Sequence, residues 1–319
     1  MTVKDQVFLY CFLLYEGEDK QILSLLPDER AKLVQKEARR YDRFPKEVRM
    51  TLVSKLLGYL VQHVRNRNME RIHPSWIADS LEKESPKVRA ILLNRLSSEY
   101  RKEVEQLIKS QTAAPPYVPQ QSSDAIFQLF AMRFAPMSAP WGESQLTLQT
   151  LFLLKQEEMF IFLKHVGVRE IARASSIAGK NPLAALVSRF PPALQEDFLN
   201  ELKKVSGDTG DKVKLATKRL SQIDLASMSM EDATLKVGLT KLGASLKDEK
   251  EAASKIAQRL PRSLGMVVLD AMKEMEAGQE EQQELSFILR DLVDKGKIDR
   301  QQVDSLFSSI ARARPSGIS

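Results

Sequence analysis

A short motif that recurs four times along the chain limits the folds that this sequence can form. Its copies begin near residues 21, 91, 185 and 255 and read QILSLLPDERAKLVQKEA, ILLNRLSSEYRKEVEQLI, ALVSRFPPALQEDFLNEL and KIAQRLPRSLGMVVLDAM. Each copy carries an apolar pair, then Leu or Phe, then Pro or Ser, and then a second amphipathic run. This pattern predicts a helix that ends, a tight turn, and a new helix that starts at an N-cap Ser or an N1 Pro. Repetition of this kind is typical of helical units that stack and share a core.

Two longer segments indicate that one helix-turn-helix unit has been duplicated. IADSLEKESPKVRAILLNRLS, from Ile77, aligns without a gap with IARASSIAGKNPLAALVSRFP, from Ile171, so that Arg95 corresponds to Arg189. A third segment, from Ser245, matches the first with one residue missing. We therefore predict an all-α fold, a right-handed stack of short armadillo-like helical repeats in two lobes joined by a Pro-rich linker.

The composition favours helix and excludes several kinds of site. The 319-residue chain has 13 Gly and 7% aromatic residues, few enough to permit helix throughout. Its 48 basic and 42 acidic residues are interspersed, so the net charge of +6 forms no focused patch for nucleic acid, and we expect no nucleic-acid partner. The single cysteine, Cys11, excludes an intramolecular disulfide and a cysteine-based metal cluster, and its apolar neighbours predict a buried side chain.

The sequence lacks the motifs that carry common enzyme chemistry. It has no phosphate-binding loop, no glycine-rich dinucleotide turn and no HExxH motif. His63, His73 and His165 are not spaced as metal ligands. We predict a non-enzyme with no cofactor or metal. Residues 7–15 form the one segment that suggests a targeting signal, but it is too short to span a bilayer and is followed by acidic residues, so we expect a cytoplasmic protein.

The chain divides, on the sequence, into four segments. A helical repeat lobe covers 1–110, a Pro-rich linker and strap helix 111–150, a hinge motif and third repeat 151–205, and a C-terminal helical lobe 206–319. The linker is recognised by the three prolines of QTAAPPYVPQQ, around residues 115–119. Beyond the linker, the spacing of three aromatic residues predicts one face of a helix, which either packs on its own lobe or docks onto another chain. These residues are Phe127, Phe130 and Phe134.

Several segments, taken in order, resemble the FliG family, the rotor proteins of the bacterial flagellar switch. The opening KDQVFLYCFLLYEGEDKQILSLLPDERAKLVQKEA is similar to that family's first helix, its turn and its next helix. LEKESPKVRAILLNRL is similar to the Glu-His-Pro-Gln motif and the helix after it: Glu84 and Pro86 match, whereas Ser85 and Lys87 replace His and Gln. Residues 159–162, Met-Phe-Ile-Phe, reproduce the family's Met-Phe-x-Phe hinge motif.

The resemblance continues after the hinge motif. Arg169, Glu170 and Ile171 resemble the end of the family's Asp-Asp-Arg-x-Ile-Gln segment. Gly167 and Val168, however, stand where that family has its two acidic residues, so a static structural role is predicted in place of torque generation. QQELSFILRDLVDKGKI resembles the closing helix of the family.

The resemblance implies surfaces that bind partners. The helix around 7–15 is expected to hold a membrane-ring protein and the surface around 84–87 a neighbouring switch subunit, while residues 159–162 let the lobes reorient. Because Phe160 and Phe162 cannot share one helical face, the hinge motif is expected either to start a helix or to form a joint. A charged ridge of Lys164, Arg169, Glu170 and Arg173 is expected to follow it. The predicted partner-binding residues are Val7, Leu9, Phe12, Leu13, Glu84, Pro86, Lys87, Met159, Phe160, Phe162, Arg169 and Arg173.

Three functional hypotheses follow. The leading one is a cytoplasmic scaffold of a ring beneath a membrane-embedded apparatus, flagellar or of type III secretion type, which reaches the membrane through its partners and associates with copies of itself. The second is a free helical-repeat adaptor with no ring role. The third is a nucleic-acid-binding protein, and salt-dependent DNA binding would distinguish it.

Overall fold

The structure, a computed structural model, consists of helices joined by turns and loops in the part of the chain that it describes. That part comprises residues 3–14, 20–41, 44–48, 50–51, 53, 69–114, 116–137, 147–276 and 280–299. No strand occurs in these ranges, and the helices stack against one another, so the all-α prediction is confirmed. The chain forms two compact units, Met1–Ser138 and Ala139–Ser319, called unit 1 and unit 2.

Unit 1 is built from short helices. Those with described bounds are α1 (Val3–Leu14), α2 (Lys20–Leu23), α3 (Asp28–Ala38), α4 (Pro74–Glu82), α5 (Pro86–Leu93), α6 (Ser98–Leu107) and α7 (Gln120–Ala131), with 3-10 turns at Arg39–Tyr41 and Met69–Arg71. α1 packs against α2, α3 and α7, α5 packs against α7, and α4 packs against α6. Cys11 is buried in α1, as its apolar neighbours predicted.

Unit 2 is organised around one central helix. Its elements are a 3-10 segment (Leu148–Leu153), α8 (Gln156–Ser175), α9 (Lys180–Val187), α10 (Pro192–Val205), α11 (Gly210–Leu220), α12 (Met230–Ser245), α13 (Lys250–Arg259), α14 (Arg262–Glu274) and α15 (Glu281–Asp294). α12 contacts α8, α11, α14 and α15. A helix that is covered on all sides in this way buries residues of every helical face, and polar side chains within it require partners.

All four copies of the repeated motif form the predicted helix, turn and helix. Ser97 is an N-cap residue, as predicted, whereas Pro27, Pro191 and Pro261 stand at the N-cap, one position before the predicted N1. The duplicated unit also keeps its register, because α5 and α9 have corresponding bounds in the alignment. The amide of Arg95 bonds to Leu92 O at 3.1 Å, and the amide of Arg189 bonds to Leu186 O at the same distance.

The boundary between the two units falls after α7, which is the predicted strap helix. The stretch 116–119 forms no helix and lies in unit 1, because α7, which follows it, packs on α1 and α5. Phe130 and Phe134 are buried, with their ring centroids 5.4 Å apart. The strap helix therefore packs on its own lobe, the first of the two alternatives, and the change of unit comes at 138/139 instead of around 115–119.

Glycines allow the helices of unit 2 to approach backbone to backbone. A Cβ at Gly167 of α8 would lie 1.7 Å from Thr234 O of α12, and one at Gly238 of α12 would lie 2.0 Å from Leu163 O of α8. On the other side of α12, a Cβ at Gly243 would lie 2.4 Å from Val268 O of α14. Since a larger side chain at any of these positions would meet rigid backbone, the two crossings depend on glycine.

Candidate functional site

The predicted docking residues of α1 lie in the core of unit 1. Leu9, Phe12 and Leu13 are buried, because α1 packs against α3 and α7. The side chain of Val7 lies outside the described part of the chain. Burial of a large apolar side chain contributes about 1.5–3 kcal/mol, so these three residues stabilise the unit and are not an exposed docking surface. They could meet a partner only if α1 left the core.

The turn between α4 and α5 is partly buried and partly open. Glu84 is buried and forms an ion pair with Arg133, which follows α7. Pro86 and Lys87 are exposed, and the Lys87 Nζ donates to Ser24 Oγ at 3.2 Å. Of the residues predicted to form this surface, Pro86 and Lys87 are therefore accessible to a partner, whereas Glu84 holds α7 in place.

The buried Arg89 fixes the shape of this turn. Its guanidinium donates to the carbonyl oxygens of Leu81, Glu84 and Gln111 at 3.1, 3.2 and 2.8 Å. The side chain of Ser85 caps α5 by accepting a hydrogen bond from the amide of Val88. The exposed part of the turn is thus presented on a rigid support.

The Met-Phe-Ile-Phe motif lies in the first two turns of α8. Met159 and Phe162 are buried and Phe160 is half-buried, while the helix continues without a break to Ser175. The motif therefore starts a helix, which is the first of the two alternatives. Because its backbone is held by helical hydrogen bonds, no joint is formed by residues 159–162.

The charges that follow the motif do not form the expected exposed ridge. Arg173 is 2% exposed, Glu170 is 1% exposed, and the guanidinium of Arg169 is largely buried. These groups point into unit 2, where each meets charges from other helices. The structure therefore corrects the expectation of an exposed charged ridge. A side chain that is paired inside the unit cannot contact the surface of another protein.

Glu170 is the centre of a buried ion network. Its carboxylate accepts hydrogen bonds from Lys241 Nζ and Arg173 Nη1, both at 2.7 Å, and from Arg219 Nη1 at 2.8 Å. The three cations come from α12, α8 and α11, so one carboxylate ties three helices together. A buried carboxylate is tolerated only when it is paired and hydrogen-bonded in this way.

Two carboxylates of α15 complete the network. Glu284 accepts from Lys241 Nζ at 2.9 Å and from Arg173, and Glu281 accepts from Arg219 Nη1 at 2.6 Å. We call this set the buried ion network; its six members are Glu170, Arg173, Arg219, Lys241, Glu281 and Glu284. It contains three acids and three bases, so its formal charges cancel.

Further pairs extend the network toward the surface. Arg169 bridges Glu284 and Glu201, with distances of 2.8 and 3.3 Å. Arg173 Nε donates to Asp208 Oδ2 at 2.6 Å, which fixes the loop between α10 and α11. Lys204 also pairs with the buried Glu201. The charges of α8 are thus used to join α10, α11, α12 and α15.

The carboxylates of the network remain ionised because their cationic partners outweigh the effect of burial. Burial raises the pKa of Glu284, but Lys241 and Arg173 more than offset it and lower the pKa to about 2. The pKa of Glu170 is lowered for the same reason, despite its complete burial. Burial also opposes the ionisation of Glu201, yet hydrogen bonds from His165 and Lys204 bring its pKa to about 2.

Acidification is therefore expected to destabilise unit 2. Because the folded pKa of Glu284 lies below its ordinary value of 4.5, the unfolded chain takes up protons first as the pH falls. The stabilisation is complete above about pH 4.5 and is lost progressively as the pH approaches about 2. Urea denaturation followed by circular dichroism at pH 7, 5, 4 and 3 measures the effect.

Matched variants test the source of this pH dependence. Glu284→Gln should lower the free energy of unfolding at pH 7. On further acidification, this variant should lose less of that free energy than the wild type does, since one titrating carboxylate is gone. Glu274→Gln removes an exposed carboxylate of α14 and should change stability by less than about 0.5 kcal/mol. If the wild type were equally stable at pH 3 and pH 7, the low pKa of the buried carboxylates would be contradicted.

A cleft of about 350 Å³ lies beside the network, between α11 and α15. Its lining residues are Arg173, Thr209, Asp211, Lys212, Leu215, Glu280, Glu281 and Glu284. Lys212 pairs with Glu280 at 2.8 Å, and the other carboxylates of the lining also have a cation within 4 Å. Among the described residues, no group of His, Cys, Asp or Glu is arranged to hold a metal ion. The charged groups of the cleft are thus engaged in ion pairs with one another and with neighbouring side chains.

Comparisons with known proteins leave the family of the chain open. No protein-family model, no curated protein and no solved structure matches it. In the described part of the chain, no helix combines the length and the apolar character that a bilayer span requires. The resemblance set out above consequently enters only the proposed function.

The partners of Glu170 were not predicted from the sequence, because no motif singles out Arg219, Lys241 or Glu284. One signal was present, because Lys241 stands alone in the otherwise uncharged run VGLTKLGASL of residues 237–246. A single charge inside a run of this kind predicts a buried ion pair, although it does not identify the partner.

Proposed function

We propose that the chain is a non-enzymatic cytoplasmic scaffold and forms part of a ring at the inner face of a membrane, in a flagellar-switch or type III secretion-like apparatus. The observation that carries the proposal is the recurrence of one helix-turn-helix unit, at corresponding positions, in both compact units. Proteins built from such units offer helix faces to other proteins. The ordered resemblance to the FliG family gives the kind of assembly.

The turn at residues 85–87 is the proposed contact with a neighbouring ring subunit. Pro86 and Lys87 are exposed there, on a turn that is held from beneath by Arg89. A rigid support lowers the conformational entropy that is lost on binding. The positive charge of Lys87 fits an acidic patch on the neighbour.

A static role is proposed in place of torque generation. Gly167 and Val168 occupy a helix crossing and the core, and Val168 is 1% exposed, so these positions offer no room for an acidic pair. The nearby Glu170 and Arg173 are neutralised inside the buried ion network. Reversing the charge of Arg173 would disrupt the fold, and a resulting loss of rotation would not identify a stator contact.

Assembly is the expected outcome when the ring components are combined. Multi-angle light scattering of the chain together with the membrane-ring component of its host should give a species well above 36.1 kDa. Lys87→Glu should reduce that species, whereas Lys102→Glu, an exposed lysine of α6, serves as the control and should not. A strict monomer in the presence of the ring component would contradict the proposal.

The second candidate function is a free helical-repeat adaptor. It is favoured by the absence of room for the acidic pair at Gly167 and Val168. Immunoprecipitation from the host distinguishes the two functions, because an adaptor would bring down partners unrelated to any ring. Flagellar or secretion genes beside the gene for this chain would favour the scaffold.

A further inference from the structure

Three of the four copies of the repeated motif carry an arginine at one corresponding position. Arg95, Arg189 and Arg259 stand in NRLS, SRFP and QRLP, directly before the turn of each copy. The copy near residue 21 has Leu25 at this position, and that side chain is buried. The three arginines lie at or just after the ends of α5, α9 and α13, beside whatever packs on those helices.

In two of these copies the arginine holds the segment that covers its helix. Arg95 pairs with Asp124 of α7, which packs on α5. Arg259 Nη2 donates at 2.9 Å to the carbonyl oxygen of Leu154, which follows the 3-10 segment that packs on α13. With these covers in place, α5 and α13 each have six buried residues. The arginine thus ties a segment from outside the repeat to the repeat.

Arg189 holds a cover of another kind. Its guanidinium donates to the carbonyl oxygens of Leu225 and Met228, the second at 3.4 Å. Both residues belong to the stretch 221–229, which joins α11 to α12 and forms no helix; we call it the 221–229 loop. No residue of α9 is buried, so this loop covers its copy less completely than α7 and the 3-10 segment cover theirs.

The 221–229 loop has few attachments to unit 2 apart from those that Arg189 makes. Ile223 is buried, and Leu225 and Met228 are half-buried against the apolar cluster around Phe198, whereas the other six residues of the loop are exposed. Among the described residues, the hydrogen bonds that the loop itself donates end within it or on the adjoining ends of α11 and α12. The polar connection to the end of α9 therefore comes from one guanidinium.

We propose that the 221–229 loop opens from α9 while the rest of unit 2 stays folded, and that Arg189 holds it closed. Hydrogen bonds from a guanidinium are charge-assisted and stronger than those between neutral groups. A segment with exposed residues and few buried contacts belongs to the least stable part of a fold. When the loop opens, Leu225 and Met228 leave the apolar cluster, and the part of the cluster that they cover becomes accessible.

The covers of the other two copies have further attachments and stay in place without their arginine. Ile126 and Phe130 of α7 are buried, and the ion pair between Glu84 and Arg133 holds the other end of that helix. Five of the six residues of the 3-10 segment are buried. Removal of the corresponding arginine is therefore expected to release a cover in the α9 copy alone.

Amide hydrogen exchange of the full chain tests this role of Arg189. Arg189→Met removes the guanidinium, and we expect the hydrogen-bonded amides of Ile223, Leu225 and Ala226 to exchange about tenfold faster than in the wild type. Lys180→Met is the matched control, because it removes an exposed positive charge at the start of α9, and it should leave these rates unchanged. The amides of α8 and α12 report whether unit 2 stays folded.

The same substitution in unit 1 provides a second comparison. Arg95→Met removes one surface ion pair, and the amides of α7 should exchange less than about threefold faster, since the buried side chains of α7 remain in place.

Each result has a definite meaning. Faster exchange confined to the 221–229 loop in Arg189→Met supports the proposal. Equal rates in this variant and the wild type overturn it, because the loop is then held without the guanidinium. Faster exchange throughout α8 and α12 also overturns it, since Arg189 would then stabilise the whole unit. A tenfold increase across α7 in Arg95→Met overturns the assignment of opening to the α9 copy.

Discussion

Replacement of Gly238 by alanine is expected to destabilise unit 2 by about 3 kcal/mol or more, at the upper end of what overpacking costs. The new methyl group would lie 2.0 Å from Leu163 O, a backbone atom that cannot rotate away. α8 and α12 would have to separate, and the contacts around their crossing would be lost with them. Gly167→Ala should act similarly, because its Cβ would meet Thr234 O at 1.7 Å.

Urea denaturation followed by circular dichroism measures these changes. Gly207→Ala and Gly210→Ala are the matched controls, since a Cβ at either position would meet no described atom within 4 Å. They should change stability by less than about 0.5 kcal/mol, or raise it slightly at Gly210, where α11 begins. The double variant Gly167→Ala, Gly238→Ala should lose less free energy of unfolding than the two single variants lose together, because both substitutions act on the same crossing of α8 and α12. Wild-type stability of Gly238→Ala would contradict the close approach.

The same glycines mark a limit of prediction from sequence. Gly167 was interpreted through a resemblance, as the position of a missing acid. The structure gives it a physical role, which is the backbone contact with Thr234. Close approach depends on which residue of another helix lies opposite, and spacing along one helix carries no information about that. Gly238 and Gly243 lie five positions apart in α12. Gly238 allows the close approach of α8, and Gly243 allows that of α14, which their spacing alone does not indicate.

The local features were more predictable. The turns at Ser85 and Pro191 follow from side-chain capping and from the restricted backbone of proline, both of which act within a few residues. The start of a helix at the Met-Phe-Ile-Phe motif was one of two predicted alternatives. In contrast, the burial of Arg173 required knowledge of the helices that surround α8. An amphipathic pattern assigns charged residues to solvent, and that rule fails where several helices bring opposite charges together.

Lys241→Met is expected to cost about 3–5 kcal/mol, the usual effect of removing one partner of a buried ion pair. Lys241 is 1% exposed, and its Nζ lies 2.7 Å from Glu170 and 2.9 Å from Glu284. Methionine fills nearly the same volume, so the loss is electrostatic: two carboxylates remain buried with fewer cations. Thermal and urea denaturation at pH 7 measure it. Lys236→Met, on the same helix but only half-buried, is the control.

The double variant Lys241→Met, Glu170→Gln separates two contributions of the network. Removal of one base and one acid restores the balance of charge, so the double variant should be more stable than the sum of the single effects predicts, by about 1–3 kcal/mol of coupling. If it is as stable as the wild type, the network adds little net stability, and its contribution is to hold α8 and α12 in one register. If the effects simply add, Lys241 and Glu170 act independently, and the carboxylate is not the centre that the distances indicate.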